Sequence, residues 1–343
     1  QTLIATKAAR MLIASRGTPV LEFGLRRAQG IDGALTASRA AYIGGCAATS
    51  NVLAGKLFGI PVRGTQAHSW VMAFDDEAAA FKAYAKAMPN NCIFLVDTFD
   101  TLEGVKRAAK IGKWLRQQGH EMIGIRLDSG DLAHLSIAAR RILDAEGFPK
   151  AIIVASNELD EETIANFKKK GAQIAVWGVG TKLITAYDQP ALGGVYKLSA
   201  IREPGGAWKY KVKLSEEKEK VSNPGILQVR RYAEVNQAIA DVIYDRKTDL
   251  SKGCVMVDLH DITRRQTLAA KHDCIDLLVP VFRKGMRVYP SITIEEIKEN
   301  VRRNLDCFQA GIKRLIHPKQ FPVGLERSLH VLKTNLIRKT TAS

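Results

Sequence analysis

Short apolar runs alternate with amphipathic segments in the first half of the chain, and each run ends in polar or glycine residues. The apolar runs are Cys92–Val96, Met122–Leu127, Ile152–Ala155 and Gln173–Trp177. Segments with helical periodicity follow the first three runs, at 101–118, 132–146 and 160–170. Strands that alternate with helices at this spacing predict parallel βα units.

The chain before these units shows the same two kinds of pattern. Residues 2–15 place apolar side chains at helical spacing, and Pro19–Phe23 has the composition of a short strand. A helix is predicted over residues 32–43, with Asp32 as its N-cap, and an alanine-rich helix over residues 75–88.

The pattern changes after about residue 195. Here the chain predicts a hairpin, a charged loop, a mixture of short strands and turns, and two helices, the first of them capped by Thr293. The segments concerned are Val195–Ile201 with Lys209–Leu214, Ser215–Lys220, residues 226–290, residues 293–308 and the basic residues 325–340. We expect this part to form an appendage that packs on the βα region.

Polar side chains stand at the carboxyl end of each predicted strand of the βα region. They belong to Asp97-Thr98, Asp128-Ser129-Gly130-Asp131, Ser156-Asn157 and Gly178-Val179-Gly180-Thr181. One aspartate there would suit a helix N-cap equally well. Because four successive strands share the arrangement, it favours a ligand site at the edge where parallel strands end.

One histidine lies in the stretch Arg63–Trp70, after a glycine-bearing turn and just before an apolar run. Neutral imidazole is a nucleophile near neutral pH, so His68 could carry a proton or a phosphoryl group. Its neighbours Thr65 and Ser69 are small and polar. The ordinary alternative is a hydrogen-bonded histidine at a strand end.

Candidate anion-binding residues flank this region. Arg26 and Arg27 come shortly after a predicted strand and Gly24, and guanidinium groups bind carboxylate or phosphate in a bidentate manner. Glycines at two further places, Gly178 with Gly180 and Gly193 with Gly194, would let backbone amides converge on a phosphate. The ordinary alternatives are a surface loop and tight packing.

Composition narrows the class of protein. The chain has 343 residues, 46% of them hydrophobic, enough for one large or two smaller domains. Five scattered cysteines without a CxxC pair argue against disulfides and a thiolate metal site, and favour a reducing cytoplasm. No apolar run is long enough for a membrane span. The net charge of +16 suits phosphorylated small molecules as well as nucleic acid, but no nucleic-acid-binding signature accompanies it.

Seven motifs between residues 23 and 198 resemble those of the nicotinate phosphoribosyltransferase family. In order they are FGLRRAQG, GTQAHSW, LVDTFDT, IRLDSGDL, SNELDE, WGVGTKL and LGGVYKL. The resemblance implies an α/β fold, an irregular (β/α) barrel with an accompanying α/β domain that is incomplete at its N-terminus. We therefore expect a barrel core over residues 1–200 and an appended α/β region over 201–343. It further implies a cytoplasmic homodimer with active sites near the subunit interface.

The resemblance also implies a reaction. Phosphoribose would pass from phosphoribosyl pyrophosphate to nicotinate, giving nicotinate mononucleotide and pyrophosphate, with ATP hydrolysis coupled through a phosphohistidine and Mg²⁺ as cofactor. His68, Arg126 and Asp128 would be catalytic. Substrate would contact Phe23, Arg26, Arg27, Thr65, Ser69, Ser129, Asp131, Ser156 and Asn157. The 5-phosphate would bind at Gly178, Gly180, Thr181, Gly193 and Gly194, and no residue is assigned as a metal ligand.

Two other classes of function stay open at this point. A related transferase could act on nicotinamide or quinolinate, although the arginine pair favours a carboxylated pyridine. A noncatalytic nucleic-acid or phosphate binder would use the positive charge instead. Such a binder would not need Asp97, Asp128 and Asp131 beside its cations, so we expect small-molecule substrates and no nucleic-acid partner.

Overall fold

A computed structural model describes residues 1–217, 220–259 and 261–341. The chain divides into two compact units. The first comprises Gln1–Leu192 with Thr293–Arg302, and the second comprises Gly193–Ile292 with Arg303–Ser343. The predicted boundary at residue 200 stays a prediction. Lys218 and Glu219 of the predicted charged loop lie outside the described residues.

The helices and strands are numbered in chain order. The helices are α1 Thr2–Ser15, α2 Gly30–Ile43, α3 Val52–Phe58, α4 His68–Met72, α5 Glu77–Ala87, α6 Thr101–Gln117, α7 Leu132–Ala145, α8 Glu161–Lys169, α9 Thr181–Ile184, α10 Ile294–Asp306 and α11 Arg327–Thr341, with a 3-10 helix at Leu25–Arg27. The strands of the first unit are β1 Val20–Glu22, β2 Ala48–Thr49, β3 Ile93–Leu95, β4 Gly124–Leu127, β5 Ile152–Ala155 and β6 Val176–Val179. Those of the second are β7 Ala200–Ile201, β8 Lys209–Tyr210, β9 Leu227–Glu234, β10 Gln237–Asp245, β11 Gly253–Asp258, β12 Arg265–Ala269, β13 Asp273–Asp276, β14 Phe282–Arg283, β15 Met286–Arg287 and β16 Val323–Glu326.

The first unit is built on a six-stranded parallel sheet in the order β2-β1-β6-β5-β4-β3. Successive strands are neighbours, and β6 returns to lie beside β1. This is the strand order of a (β/α) barrel that is interrupted between β2 and β3, where α3, α4 and α5 occupy the chain. The predicted α/β class is therefore confirmed.

The central residues of these short strands are apolar and buried. Phe94, Ile125, Ile153 and Trp177 are almost completely shielded from solvent. Parallel strands covered by helices show such continuous apolar runs. The amphipathic helices α6, α7 and α8 follow β3, β4 and β5 along the chain, as their periodicity predicted.

Several predicted boundaries are corrected. Gln29, not Asp32, occupies the N-cap position of α2, and Asp32 lies in the first turn. Strand β6 runs three residues later than expected at its start and includes Gly178 and Val179. Three short helices, α3, α4 and α9, were not predicted, because each has too few residues for a periodic pattern to emerge.

The second unit is dominated by a six-stranded sheet in the order β12-β11-β16-β10-β9-β13. Its pairings are antiparallel except that between β10 and β16. The hairpin predicted around residues 204–206 is present, but its strands β7 and β8 have only two residues each.

Thr293 caps α10 as predicted, since its hydroxyl accepts a hydrogen bond from the Glu296 amide at 3.2 Å.

Within the described ranges 1–217, 220–259 and 261–341, every helix is too short or too polar to cross a lipid bilayer.

Candidate functional site

A cavity of about 530 Å³ opens at the carboxyl edge of the parallel sheet in the first unit. We call it the rim cavity. Its walls come from the segments that follow β1, β2, β4, β5 and β6 and from the loop before α4. The lining residues are Phe23, Arg26, Arg27, Ser50, Gly64, Thr65, Ala67, His68, Ser69, Arg126, Asp128, Ser156, Asn157, Glu158, Gly178, Gly180 and Thr181.

Most residues that were assigned to catalysis, substrate or phosphate meet in this cavity, and four of them do not line it. Ser129 turns its hydroxyl to the Asp97 carboxylate, with Oγ and Oδ2 2.6 Å apart. Asp131 is the N-cap of α7, where its carboxylate accepts hydrogen bonds from the Ala133 and His134 amides. Gly193 and Gly194 belong to the second compact unit, so their assignment to a phosphate stays a prediction.

His68 lies between two polar partners. It is the first residue of α4, not the end of a strand, and its side chain is 38% exposed. Its Nδ1 atom lies 3.1 Å from Thr98 Oγ1, and its Nε2 atom lies 3.3 Å from Asp128 Oδ2. The imidazole therefore reaches the cavity while both ring nitrogens are held.

Asp128 is fixed from two neighbouring strands. Its Oδ1 atom accepts a hydrogen bond from the Ser156 hydroxyl. Its backbone amide donates to Asp97 Oδ2 at 2.7 Å. These contacts hold the Asp128 carboxylate toward the cavity without using the oxygen that faces His68.

Arg126 supplies a cation from the strand preceding Asp128. Burial lowers the pKa of its guanidinium, while the Asp128 and Asp97 carboxylates oppose that shift. Its Nε atom is buried and has no hydrogen-bond partner in the described part of the chain. A desolvated guanidinium with an unused donor is suited to bind an anion, because burial strengthens the electrostatic interaction.

Arg26 and Arg27 reach the cavity from the 3-10 helix after β1. The turn before this helix is organised by Glu22, a fully buried carboxylate. Glu22 accepts hydrogen bonds from the Gly24 amide, from Ser38 Oγ at 2.8 Å and from Thr49 Oγ1 at 2.6 Å. The network ties the arginine-bearing turn to β2 and α2.

The glycines in and directly after β6 line the cavity next to Phe23. A side chain at Gly178 would meet the Phe23 ring at 2.6 Å, so the glycine leaves room for this aromatic wall. Gly180 occupies the N-cap position of α9, and Thr181 begins that helix. Asn157 has a φ of 122°, a backbone conformation that is unusual for a residue other than glycine and that is often found at functional sites.

Sequence reasoning missed four lining residues. Gly64 and Ala67 lie in the stretch Arg63–Trp70 and Ser50 directly follows β2, but small side chains carry no chemical signal of their own. Glu158 follows Asn157 in the SNELDE motif and adds a second carboxylate to the cavity. The abrupt change from an apolar strand to Ser-Asn-Glu was the available signal for Glu158.

Across the described residues, no group of three or more His, Cys, Asp or Glu side chains could hold a metal ion. The cavity does contain two carboxylates, Asp128 and Glu158, among three arginines. Mg²⁺ is commonly bound by one or two carboxylates together with substrate phosphates. This donor set therefore fits a magnesium ion that arrives with a phosphorylated ligand.

Comparison with known protein families gives two matches that do not overlap along the chain. Residues 19–209 match the model described as the nicotinate phosphoribosyltransferase family. Residues 228–333 match the model described as the nicotinate phosphoribosyltransferase C-terminal domain.

Similar proteins occur in distant organisms. A nicotinate phosphoribosyltransferase of Bacillus subtilis (strain 168) is 46% identical over 331 residues, which are 95% of this chain and 66% of that protein. One of Homo sapiens is 37% identical over 392 aligned residues, covering 98% of this chain and 72% of that protein. The chain thus spans about two thirds of the length of these relatives.

Solved structures share the architecture. The crystal structure of human nicotinic acid phosphoribosyltransferase matches with a TM-score of 0.77 and 27% identity, covering 97% of this chain and 74% of that one. A nicotinate-nucleotide pyrophosphorylase from Pyrococcus furiosus matches with a TM-score of 0.63 and 23% identity, covering 89% and 69%. The second likeness concerns the fold alone.

Proposed function

The chain belongs to the nicotinate phosphoribosyltransferase family, and we propose that it transfers phosphoribose from phosphoribosyl pyrophosphate to nicotinate. The products are nicotinate mononucleotide and pyrophosphate, and the reaction is coupled to ATP hydrolysis. The observation that carries the proposal is the rim cavity, which Arg26, Arg27 and Arg126 line together with His68 and Asp128.

Nicotinate needs two kinds of contact, a charged one for its carboxylate and an apolar one for its pyridine ring. Arg26 and Arg27 bind the nicotinate carboxylate, because guanidinium groups pair with carboxylates through charged hydrogen bonds. Phe23 provides one apolar wall for the pyridine ring. A transferase specific for nicotinamide, which lacks the carboxylate, would gain little from this arginine pair.

Bond breaking separates charge between pyrophosphate and ribose. Arg126 stabilises the anionic leaving group, while the Asp128 carboxylate stabilises the positive charge that develops on the ribose. Ser156 and Asn157 bind the ribose region beside Asp128, and Thr65 and Ser69 flank His68. We assign Gly178, Gly180 and Thr181 to the 5-phosphate.

Mg²⁺ fits beside Asp128 and Glu158 and would supply charge neutralisation to pyrophosphate and to ATP. His68 is the residue that we assign as the phosphoryl acceptor from ATP. Its imidazole faces the cavity, and the Asp128 carboxylate beside it stabilises positive charge on the ring. The phosphorylated form would favour substrate binding and turnover.

Two aspects of the whole protein complete the proposal. We propose that it acts as a homodimer in a reducing cytoplasm. All five cysteines are free, which supports such a compartment. Light scattering of the purified protein measures the assembly state, and a monomeric mass at micromolar concentration would rule out the dimer.

The test of the ATP coupling is pyrophosphate release with nicotinate, phosphoribosyl pyrophosphate and Mg²⁺, with and without ATP. We expect His68→Ala to lose at least about tenfold of the ATP-stimulated rate, because no other group replaces the nucleophile. His134→Ala, an exposed histidine on α7 outside the cavity, should behave like the wild type. Full ATP stimulation in His68→Ala would refute the phosphohistidine role.

The test of substrate class compares nicotinate, nicotinamide and quinolinate as acceptors. We expect Arg26→Ala to raise the KM for nicotinate by about tenfold or more, since one charged hydrogen bond is lost. The KM for phosphoribosyl pyrophosphate should change much less. Arg39→Ala, on α2 outside the cavity, is the matched control. Faster turnover of nicotinamide or quinolinate than of nicotinate would contradict the proposal.

A further inference from the structure

Thr98 contacts His68 on the side of the ring opposite Asp128. Its hydroxyl oxygen lies 3.1 Å from Nδ1, while Asp128 Oδ2 lies 3.3 Å from Nε2. Thr98 is not one of the residues that line the rim cavity. Its side chain contacts the proposed nucleophile, so it can influence which ring nitrogen of His68 carries the proton.

The two partners differ in what they can donate. An ionised carboxylate only accepts hydrogen bonds, whereas a threonine hydroxyl both donates and accepts. A neutral imidazole that donates from Nε2 to Asp128 must therefore accept at Nδ1, and the Thr98 hydroxyl is the donor placed there. The opposite tautomer would set the Nε2 lone pair against the Asp128 carboxylate.

We infer that Thr98 is a positioning residue that holds His68 in the tautomer with its proton on Nε2 and leaves the lone pair on Nδ1. This inference rests on the proposed function in one respect, namely that ATP phosphorylates His68. Nδ1 is then the nitrogen that attacks.

The corresponding step balances without a further reactant. The Nδ1 lone pair forms the N–P bond to the terminal phosphorus of ATP, and the bond from that phosphorus to the bridging oxygen breaks. The electron pair of the broken bond leaves with ADP. The ring becomes a cation that keeps its Nε2 proton, and the Asp128 carboxylate stabilises it. The Thr98 hydroxyl moves from Nδ1 to an oxygen of the new phosphoryl group.

Both partners of the imidazole lie in segments that further hydrogen bonds hold in place. Thr98 follows β3 and the buried Asp97, whose Oδ2 atom accepts hydrogen bonds from the Asp128 amide and the Ser129 hydroxyl. Ser156 occupies the other oxygen of Asp128, which leaves Oδ2 for His68. The ends of three adjacent strands thus set the positions of the donor and the acceptor.

The test starts with nitrogen NMR of the His68 imidazole in the ligand-free protein at about pH 8, where an ordinary imidazole is neutral. We expect the wild type and Thr98→Ser to carry the proton on Nε2. In Thr98→Val the ratio of the two tautomers should shift by about fivefold toward the Nδ1 proton, the effect of one hydrogen bond. Thr36→Val, the same change on α2 outside the cavity, should leave the ratio unchanged.

A proton on Nδ1 in the wild type, or an unchanged ratio in Thr98→Val, would overturn the inference. Rescue by Thr98→Ser separates the hydroxyl from a general structural role, because serine retains the hydrogen bond and loses only a methyl group. Circular dichroism shows whether each variant folds. If Thr98→Val does not fold, the tautomer of Thr98→Ser decides, and a proton on Nδ1 in that variant would overturn the inference.

Phosphorus NMR after incubation with ATP and Mg²⁺ forms the second arm. We expect the phosphoryl group on Nδ1 in the wild type and Thr98→Ser, and about fivefold less of it in Thr98→Val. Phosphorylation on Nε2 would overturn the assignment of Nδ1. If no variant forms phosphohistidine, the proposed ATP coupling fails, whereas the tautomer measurement still decides the role of Thr98.

Discussion

The two glycines of the Gly178-Val179-Gly180 motif differ in how closely neighbouring atoms pack against them. Both were assigned to a phosphate from their sequence pattern. Gly178 lies inside β6, paired with Leu21, and a Cβ atom there would lie 2.6 Å from two carbons of the Phe23 ring. At Gly180 the nearest atom to a Cβ would be the Phe23 carbonyl oxygen, at an ordinary contact distance of 3.4 Å. Only Gly178 is required by packing against the aromatic wall.

This difference predicts unequal effects of the same substitution. Gly178→Ala should lower the free energy of unfolding by about 2 kcal/mol, because the Phe23 ring or the strand must shift to admit the methyl group. It should also raise the KM for nicotinate. Gly180→Ala should change stability by less than about 1 kcal/mol. Denaturant unfolding measures both, and equal losses in the two variants would contradict this account of the packing.

At the scale of an element, aspartates in the βα loops have two different roles, in the site and in helix capping, which residue type alone does not distinguish. The first polar residue after a strand, such as Asp97 or Asp128, belongs to the site network. An aspartate three residues later caps the next helix, as Asp100 does for α6 and Asp131 for α7. The spacing arises because a loop needs a few residues to turn from the strand end to the helix start. Because residue type alone does not distinguish the two roles, the assignment of Asp131 to substrate stays a prediction.

Asp160, the N-cap of α8, also forms an ion pair with Lys182. Burial raises the pKa of its carboxyl group, but hydrogen bonds from Lys182 Nζ at 2.6 Å and the Thr163 amide at 2.7 Å outweigh burial and lower the pKa to about 2. Asp160→Ala should therefore reduce the free energy of unfolding at neutral pH by about 2 kcal/mol. Chemical denaturation measures this loss.

The sign of its pH dependence follows from the lowered pKa. The native state binds the Asp160 proton less readily than the unfolded chain does, so the stabilisation is complete above the ordinary aspartate pKa and is lost as the pH falls toward about 2. Asp76→Ala is the matched control, because Asp76 caps α5 through the Ala79 amide and is exposed. It should cost about 1 kcal/mol. Equal losses in the two variants would show that Lys182 adds nothing.

At the scale of the whole molecule, the five cysteines occupy environments of very different accessibility. Cys46 and Cys92 are buried in the first unit, and burial raises the pKa of their thiols to about 12 and about 11. Cys274, on β13 of the second unit, is exposed, and Cys254 and Cys307 are half-buried. The thiolate is the reactive form, so burial and the raised pKa both slow the reaction of Cys46 and Cys92.

An aromatic disulfide reagent at about pH 8 should therefore modify Cys274 first and leave Cys46 and Cys92 unmodified until the protein unfolds. Cys274→Ser should remove the fast phase of the reaction. The number of thiols modified in native and denatured protein is measured from the colour released. Fast modification of Cys46 or Cys92 in the native protein would contradict the burial of these two thiols.

Long periodic segments explain why so much of the fold could be predicted from the sequence. Helices α1, α6 and α7 and the strands β4 and β5 lie within one or two residues of their predicted ranges. The second unit was predicted less well, because its sheet joins strands that are far apart in the chain, such as β10 with β16. Local periodicity contains no information about such pairings.

The βα alternation, the polar residues at the strand ends and the family motifs could be recognised in the sequence, because each is a local property of consecutive residues. The tertiary structure sets which of those residues face one another. It turned Ser129 and Asp131 away from the cavity, added Glu158, and set Thr98 and Asp128 on opposite nitrogens of His68. These contacts join residues 30 and 60 positions apart in the chain, and the order of the strands in the sheet brings them together.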